Sequence, residues 1–371
     1  MTKHDYPMWI ADRTWIVKEI ELTVLRDGSL GMSPKQWEPA HRAVCKHLLT
    51  DPEELKEADI EFLWDVLSSH ADPNGHPPWM EEDIKSSVQH WTALTALADE
   101  ALVKQTNHCI LIRQELADET EAAEAANHLP TVISRCLVPK DSIVIPRYAC
   151  LPFYPELIRD LATRGAKPIN SYEQHRFAAD LTQWYPYLED ITPRTWETWG
   201  NLPEGSFVVK GKTTSRKDSW ASLMFCETKA DVPRVAMALL RDSLIKEQGV
   251  VIRQYVPLKK LDEGLNGLPV TNEWRVFCWF NGTKPKILAR GFYWRASHPE
   301  AEAAASWSKD AAVLAYKAAE RVGPHIPFFV LDLAETATGD WIVVEVNDGS
   351  QSGLCGVSAE ELYCNLARVL A

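Results

Sequence analysis

The stretch Phe328–Gly353 reads FFVLDLAETATGDWIVVEVNDGSQSG, and its pattern decides the predicted fold. Two apolar runs, Phe328–Leu333 and Trp341–Val346, flank the turn-prone segment Thr338-Gly339-Asp340. Gly and Asp favour tight turns, whereas β-branched and aromatic residues favour strands, so this arrangement is typical of a β-hairpin. We therefore predict two antiparallel strands joined by a short turn.

Three side chains with metal-binding oxygens interrupt these apolar runs: Asp332, Glu345 and Asn347. Side chains alternate along a strand, so Glu345 and Asn347 share one face. A two-residue turn at Thr338-Gly339 places Asp332 opposite Glu345, and a turn at Gly339-Asp340 places it opposite Asn347. Either register brings all three oxygens onto one face, where such hard ligands suit Mg²⁺. The alternative interpretation is a solvated polar face on an edge hairpin.

Composition and charge limit the classes of protein to consider. The 371 residues are 46% hydrophobic and 25% charged, which is ordinary for a globular protein. The net charge of −13 argues against a broad surface for nucleic acid or anionic membrane. We find no secretory h-region at the start, no apolar run near the ~20 residues of a membrane span, and no CxxC motif. We therefore expect a reduced, cytoplasmic protein that partners neither nucleic acid nor membrane.

The pattern along the chain predicts three regions. Residues 1–130 are predicted to be mainly helical, with no indication of their role. Short apolar strands alternate with helices from about residue 107, so residues 131–200 are predicted to form a small α/β layer. Residues 201–371 carry the predicted hairpins and the candidate site residues, and are predicted to form one domain.

A basic segment follows the first predicted strand of that domain. Phe207–Lys210 is apolar and leads into Lys210-Gly211-Lys212. If the strand continues through Gly211, Lys210 and Lys212 point the same way. The polar loop that follows, residues 213–217, carries hydroxyls and cations that can close over phosphates. A solvated basic turn explains this stretch equally well.

A second candidate binding segment lies after the helix predicted over Asp231–Gln248. The strand Val250–Val256 ends in a polar and aromatic corner before Pro257. A strand of this kind suits an inter-lobe hinge, where backbone N–H and C=O groups can bind an adenine edge. On this stretch alone, an ordinary core strand is the favoured interpretation.

A further hairpin is predicted around Asn281-Gly282, the strongest short hairpin signal in the chain. A two-residue turn there places Glu273 opposite Arg290, so that Glu273, Arg275 and Arg290 share one face. Pro285 makes the returning strand an edge or forces a bulge. Two arginines on one inner face suit phosphate oxygens, and a cross-strand salt bridge on a wet face is the alternative.

The order of these elements resembles the ATP-grasp fold. It comprises a strand with paired lysines, a helix, a hinge strand, a Glu-x-Arg hairpin and an Asp…Glu-x-Asn hairpin. Within that fold it resembles the clade named for one arginine and two lysines, over residues 140–371 and most clearly over 205–353. It is also similar to the eukaryotic cell-division-cycle chaperone family. The resemblance implies an α/β (α+β) fold in which two β-rich lobes of a domain at 201–371 enclose ATP.

The resemblance also implies roles for individual residues, matched by position. The implied nucleotide-binding residues are Lys210, Lys212, Arg253, Gln254, Tyr255 and Val256, the implied catalytic cations are Arg275, Lys212 and Arg290, and the implied metal ligands are Asp332, Glu345 and Asn347. Either Arg253 or Arg275 matches the arginine that names the clade, and the sequence does not choose between them.

The implied activity is an ATP- and Mg²⁺-dependent ligase that joins a carboxylate to an amine through an acyl phosphate. Such a reaction needs no protein nucleophile, which agrees with the lack of a Ser-His-Asp or Cys-His constellation. The carboxylate could belong to a peptide, a protein or a small molecule. Two alternatives stay open: an ATP-binding assembly chaperone, and a phosphotransferase on the same fold.

Overall fold

The structure is a computed structural model that describes residues 107–112, 119–132, 135, 138–149, 154–264 and 267–371. The described residues divide into two compact units. The first holds those up to Pro146 together with Ile158–Lys167, and the second holds Arg147–Leu157 and Pro168–Ala371. Both are mixed α/β, as predicted. The helices predicted before residue 107 lie outside the described residues.

The first unit is built on a four-stranded sheet of short strands. The elements in this part of the chain are β1 (His108–Leu111), α1 (Glu119–His128), β2 (Thr131–Val132), β3 (Ile143–Pro146), α2 (Tyr154–Ala162) and β4 (Lys167–Pro168), of which the start of α2 and Pro168 are assigned to the second unit. Strand β1 pairs in parallel with both β2 and β3, and the sheet order is β2-β1-β3-β4. The predicted alternation of short strands and helices is therefore present.

The second unit begins with two helices and a sheet of four short strands, which we call the small sheet. The elements are α3 (Tyr172–Ala179), α4 (Leu181–Leu188), β5 (Thr195–Trp196), β6 (Phe207–Gly211), α5 (Trp220–Leu223), β7 (Phe225–Cys226), α6 (Val232–Leu239), α7 (Ser243–Gln248) and β8 (Val250–Gln254). The small sheet is antiparallel, in the order β5-β8-β6-β7. Its apolar residues Val209 and Ile252 are buried in one cluster with Val235 and Leu239 of α6.

A second sheet, which we call the long sheet, follows a two-stranded ribbon. The elements are β9 (Lys260–Glu263), β10 (Pro269–Thr271), β11 (Glu273–Phe280), β12 (Pro285–Phe292), α8 (Lys309–Val322), β13 (Phe328–Glu335), β14 (Trp341–Asp348) and α9 (Ala359–Leu370). The order of the long sheet is β12-β11-β13-β14, and all its pairs are antiparallel.

The two faces of the long sheet differ in character because side chains alternate along each strand. On one face Val276, Leu331 and Val346 are buried in a cluster that also contains residues of α4 and α8. On the other face Arg275 lies directly opposite Asp332, which in turn lies opposite Glu345. The same strands therefore supply an apolar core and a charged surface.

The β13–β14 hairpin contains a loop and a bulge that the sequence did not predict. The Thr336 N–H donates to Asp340 O at 2.7 Å, which leaves a three-residue loop rather than either predicted two-residue turn. Asp332 pairs with Glu345, but Leu333 pairs with Val343, so Val344 is an extra residue in β14. The bulge offsets the odd loop. Asp332 therefore faces Glu345, as one predicted register required, although both predicted turns were wrong.

The predicted register of the β11–β12 hairpin was also wrong. Phe280 pairs with Pro285, so the connection has four residues. The Asn281 side chain accepts hydrogen bonds from the Thr283 and Lys284 N–H groups, both at 3.0 Å, and this local bonding replaces the predicted tight turn. The edge or bulge expected from Pro285 is confirmed twice, because β12 is an edge strand and the register shifts beyond Phe277.

Arg290 consequently lies on the apolar face rather than beside Glu273 and Arg275. It pairs with Val276, and its guanidinium carbon is 5.3 Å from the ring centroid of Trp307. The side chain is exposed. The predicted placement of Arg290 on the charged face is thus corrected.

Three helices each begin at a short polar side chain that accepts a hydrogen bond from the first turn. Asp180 accepts from the Thr182 N–H at 3.0 Å and begins α4. Asp242 accepts from the Ile245 N–H at 3.2 Å and begins α7, so the helix predicted over Asp231–Gln248 is divided in two. Ser308 accepts from the Ala311 N–H and begins α8. Among the described residues, no helix is both long enough and apolar enough to cross a membrane.

The first testable prediction concerns a close backbone contact beside Arg275. Gly291 pairs with Arg275, and a Cβ added at Gly291 would overlap the backbone of Gly356 and Val357. Backbone atoms cannot rotate away, so we expect Gly291→Ala to lower the free energy of unfolding by about 1–3 kcal/mol. Urea denaturation measures the change.

Gly200→Ala is the matched control, since no atom lies within 4 Å of a Cβ added there. Its free energy of unfolding should stay within about 0.5 kcal/mol of wild type. Equal midpoints for the two variants would show that the backbone contact at Gly291 is not tight.

Candidate functional site

A cleft in the second unit is lined by residues of both the small sheet and the long sheet. Its volume is about 910 Å³, counting the open mouth. The small sheet contributes Lys210 from β6 and Arg253 from β8, and the long sheet contributes Glu273 from β11 and Glu345 from β14. The predicted lobes thus both contribute residues to one concave surface.

Part of the cleft lining is apolar and adjoins the predicted hinge. The residues concerned include Val208, Met224, Gln254, Tyr255, Val256, Leu258, Ile342 and Val344. The Gln254 N–H donates to Arg194 O at 2.8 Å and the Tyr255 N–H to Ser206 O at 2.9 Å. The Val256 N–H has no partner among the described residues. It is therefore the hinge donor left for a ligand.

The cleft also adjoins a charged cluster, through Lys210 and Glu345. Lys210 donates to Glu345, and Arg275 binds Asp332 through Nε–Oδ1 at 2.9 Å and Nη2–Oδ2 at 2.8 Å. The amide nitrogen of Asn347 lies 3.5 Å from Asp332 Oδ2 and 3.4 Å from Glu345 Oε2. The three predicted metal ligands are therefore brought together, with two predicted cations paired to them. Glu345 and Lys210 line the cleft itself, and the other three adjoin it.

The cluster keeps Glu345 ionised. Burial raises the pKa of its carboxyl, but the charges of Lys210 and Lys217 and hydrogen bonds from Lys210 and Asn347 outweigh burial and lower the pKa to about 2. An ionised carboxylate is the form that binds a metal or holds an ammonium group. Glu345 is thus in its ligand-binding form at neutral pH.

Lys217 takes the place in this cluster that the sequence predicted for Lys212. Its Nζ donates to the Tyr293 hydroxyl at 3.0 Å and lies 4.5 Å from the centroid of that ring. Burial lowers the pKa of Lys217, but Glu273, Tyr293 and Glu345 outweigh it and hold the pKa above its ordinary value. Lys217 is therefore a fixed positive charge in the cleft.

Lys212 lies elsewhere because β6 ends at Gly211. Its Nζ donates to Glu197 Oε2 at 2.6 Å, and it is not among the lining residues of the cleft. Lys210 and Lys212, predicted to contact phosphates together, therefore have different partners, since Lys210 donates to Glu345. From the sequence, Lys217 was placed only in a polar loop. In the structure a 3-10 turn, Lys217–Ser219, begins at this residue. So short a turn has no repeating apolar pattern by which the sequence could have identified it.

Glu273 is a buried carboxyl with an unsatisfied oxygen. It is 4% exposed, and Oε1 has no partner within the part of the chain that the structure describes. Burial raises its pKa to about 7, against the opposing charge of Lys217. Trp294 Nε1, also in the lining, is likewise buried without a partner there. A ligand that supplies one donor and one acceptor would satisfy both atoms.

The two candidate arginines occupy different environments. Arg275 belongs to the charged cluster through Asp332. Arg253 lines the cleft but donates to Val344 O at 2.6 Å and to Thr192 Oγ1 at 2.7 Å, so it holds backbone and hydroxyl groups. Burial lowers the pKa of Arg253 to about 10, which leaves it charged at neutral pH. Arg275 is thus the arginine beside the predicted metal ligands.

The donor set of the cluster suits a hard cation. Two carboxylates and one amide lie on one face, and Mg²⁺ prefers such oxygen ligands with water and phosphate completing the shell. Nowhere in the described ranges do three His, Cys, Asp or Glu side chains form a metal-binding group. The third protein ligand would therefore be Asn347.

Comparison with known proteins gives a family match over the second unit. Residues 198–366 match the model of an ATP-grasp domain, family 3 of the clade that is named for one arginine and two lysines. No curated protein matches the chain.

Solved structures with similar folds have low sequence identity to the chain. A D-alanyl-alanine synthetase A from Vibrio cholerae is 14% identical, with 71% of this chain and 97% of that chain covered and a TM-score of 0.45. A RimK domain ATP-grasp protein from Sphaerobacter thermophilus is 16% identical, with 71% and 99% covered and a TM-score of 0.45. D-cycloserine synthetase DcsG is 12% identical, with 71% and 100% covered and a TM-score of 0.47.

The family match covers the small sheet from β6, the long sheet and the charged cluster. It agrees with the resemblance drawn from the order of lysines, hinge and hairpins. Residues 198–366 of this chain are therefore similar to the ATP-grasp domains of the clade named for one arginine and two lysines.

Proposed function

We propose that the protein is an ATP- and Mg²⁺-dependent ligase that joins a carboxylate to an amine. One observation carries the proposal: a single cleft combines the apolar residues around the hinge with the cations Lys210 and Lys217. ATP has the same polarity, with a flat base at one end and a polyanion at the other. The ATP-grasp family match over residues 198–366 supports this choice of ligand.

The base and sugar of ATP fit the unpaired groups of the cleft. The free Val256 N–H can donate to a ring nitrogen of adenine beside the apolar lining residues. The unpaired Oε1 of Glu273 can accept from a ribose hydroxyl, which gives this buried carboxyl the hydrogen bond that it lacks. In this pose the phosphates extend toward Lys210 and Lys217.

Asp332, Glu345 and Asn347 would hold Mg²⁺, which would supply charge neutralisation at the phosphate oxygens. Without a ligand, Lys210 neutralises Glu345 and Arg275 neutralises Asp332. Phosphate oxygens offer these cations new anionic partners, and that exchange frees the carboxylates for the metal. The charges of the cluster can thus be redistributed without leaving any of them unpaired.

The proposed reaction has two steps. An oxygen of the substrate carboxylate attacks the γ-phosphorus, the bond to the β-phosphate oxygen breaks, and ADP and an acyl phosphate form. The amine then attacks the acyl carbon, loses a proton and displaces inorganic phosphate, which leaves an amide. Lys210, Lys217 and Arg275 offset the negative charge on the transferring phosphoryl group.

The function is tested by a screen of ATP hydrolysis across pools of carboxylates and amines, with products identified by mass spectrometry. ADP formation that requires both an acid and an amine, with a condensed product, supports the ligase. Tight ATP binding without turnover would indicate an assembly chaperone instead. A phosphorylated product that is stable without an amine would indicate a phosphotransferase.

A prediction separates the two lysines of the Lys210-Gly211-Lys212 segment. Lys210→Met should weaken Mg·ATP binding by about tenfold or more, because a hydrogen bond to a charged group contributes roughly 1.5–3 kcal/mol. Lys212→Met should have little effect, since Lys212 pairs with Glu197 outside the cleft. Calorimetric titration with ATP and Mg²⁺ measures both, and equal losses would argue against the proposed phosphate position.

The metal site predicts the behaviour of two further variants. Glu345→Gln and Asp332→Asn should each lower Mg²⁺-dependent ADP formation by more than about 100-fold, since even indirect partners of a metal commonly contribute about 10- to 100-fold. Asp340→Asn, an exposed change in the loop of the same hairpin, is the control and should turn over like wild type. Wild-type turnover in both test variants would reduce this hairpin to a polar sheet face.

The raised pKa of Glu273 predicts a pH dependence of stability. Its pKa rises from 4.5 to about 7 on folding, so the folded state binds more protons than the unfolded state between these values. Stability from this group is present below pH 4.5 and is lost as pH rises to 7, on the order of 3 kcal/mol.

Glu273→Gln should therefore remove this loss between pH 4.5 and 7 and should also weaken ATP binding. Urea unfolding at pH 5 and pH 8 measures the first effect, with the exposed Glu300→Gln as control. If the two variants show the same pH dependence as wild type, Glu273 does not carry the raised pKa.

A further inference from the structure

The bulge in β14 decides which side chain faces the charged cluster. Three residues separate Thr336 from Asp340, and without an extra residue this odd loop would place Val344 opposite Asp332. The bulge at Val344 moves the pairing on by one, so that Glu345 takes that position. The location of a proposed metal ligand thus depends on a local irregularity.

The bulge is held by side chains from outside the hairpin. Thr192 Oγ1 donates to Val343 O at 2.7 Å, and Arg253 Nη1 donates to Val344 O at 2.6 Å. Arg253 Nη2 also donates to Thr192 Oγ1 at 2.7 Å. Both backbone carbonyls at the bulge therefore have partners, and the two partners are bonded to each other.

The environment of Arg253 indicates that its position is specific. The side chain is 6% exposed and Thr192 is 7% exposed, so water does not compete strongly for these bonds. Placing a guanidinium in such a site has a desolvation cost, yet no carboxylate pairs with it within hydrogen-bonding distance among the described residues. The guanidinium bonds instead to two neutral acceptors that define the shape of β14.

We propose that Arg253 is a positioning residue that holds the bulge at Val344 and thereby keeps Glu345 on the cleft face. Arg253 bonds to Val344 O and to Thr192 and not to Asp332, Glu345 or Asn347, so it acts on the site through the backbone of β14. The role given to Glu345 in this inference rests on the proposed function. The geometry of the bulge rests on the hydrogen bonds alone.

The position of Arg253 in the chain gives the bond a second consequence. Arg253 directly precedes the hinge segment 254–256, which lines the cleft. Its hydrogen bond to Val344 O therefore links the segment that would bind the base to the strand that would bind the metal. We expect Arg253 to affect how strongly Mg²⁺ increases nucleotide affinity, more than it affects nucleotide affinity without the metal.

The experiment measures binding of AMP-PNP by calorimetry with and without Mg²⁺ and takes the ratio of the two affinities. In Arg253→Met this ratio should fall by about tenfold, in the range found for residues that orient metal ligands. Affinity without Mg²⁺ should change less. A purely structural role would lower both affinities together, and that outcome would overturn the proposal.

Three further variants sharpen the comparison. Arg253→Lys can still donate to Val344 O but not to Thr192 at the same time, so its ratio should lie between wild type and Arg253→Met. Thr192→Val keeps Arg253 but removes the hydroxyl that donates to Val343 O and accepts from Arg253. It should also lower the ratio. Arg290→Met removes an exposed arginine from the opposite face and should leave the ratio unchanged.

A crystal structure of Arg253→Met without nucleotide tests the geometry independently. We expect the register of β14 to shift or Glu345 to leave Lys210, and an unchanged bulge would overturn the proposal. If wild type does not bind AMP-PNP, the proposed function fails, and this structure alone decides the role of Arg253. If Arg253→Met does not fold, the same structural comparison is made with Thr192→Val.

Discussion

The ion pair between Arg275 and Asp332 makes the charged face of the long sheet possible. Their side chains are 8% and 1% exposed, and a carboxylate so deeply buried is costly without a partner. The two bonds from one planar guanidinium fix the geometry as well as the charge. Lys210 does the same for Glu345 with a single ammonium group. The proposed metal ligands Asp332 and Glu345 are thus each paired with a cation and held in place before any ligand arrives.

The two faces of the long sheet have different roles as a result of this constraint. The apolar face of the long sheet packs against α4 and α8 and supplies the stability of the unit. The opposite face is left for charges, and the small sheet covers part of it with Lys210 and Arg253. Glu273 shows the cost of such an arrangement, since burial raises its pKa to about 7 and leaves one oxygen unpaired. A bound nucleotide is what would relieve that cost.

The sequence predicted the elements better than their connections. Alternating apolar and polar residues identify β13, β14 and the face shared by Asp332 and Glu345, because that pattern is local. The bulge at Val344 depends on Arg253 and Thr192, which are distant in sequence, so no local pattern contains it. Two further features could be found only from the way the two sheets pack. Lys217 rather than Lys212 lies in the cleft, and Arg275 rather than Arg253 lies beside the proposed metal ligands.

The paired loop and bulge of the β13–β14 hairpin also restrict how the length of this segment can vary among related chains. Twelve residues separate Asp332 from Glu345, so a β14 without its bulge would pair these carboxylates only if the connection had an even number of residues. At this spacing, a change between an odd and an even loop must be matched by the loss or gain of a bulge several residues away. Loop length and strand regularity in this hairpin should be inherited together rather than drift separately.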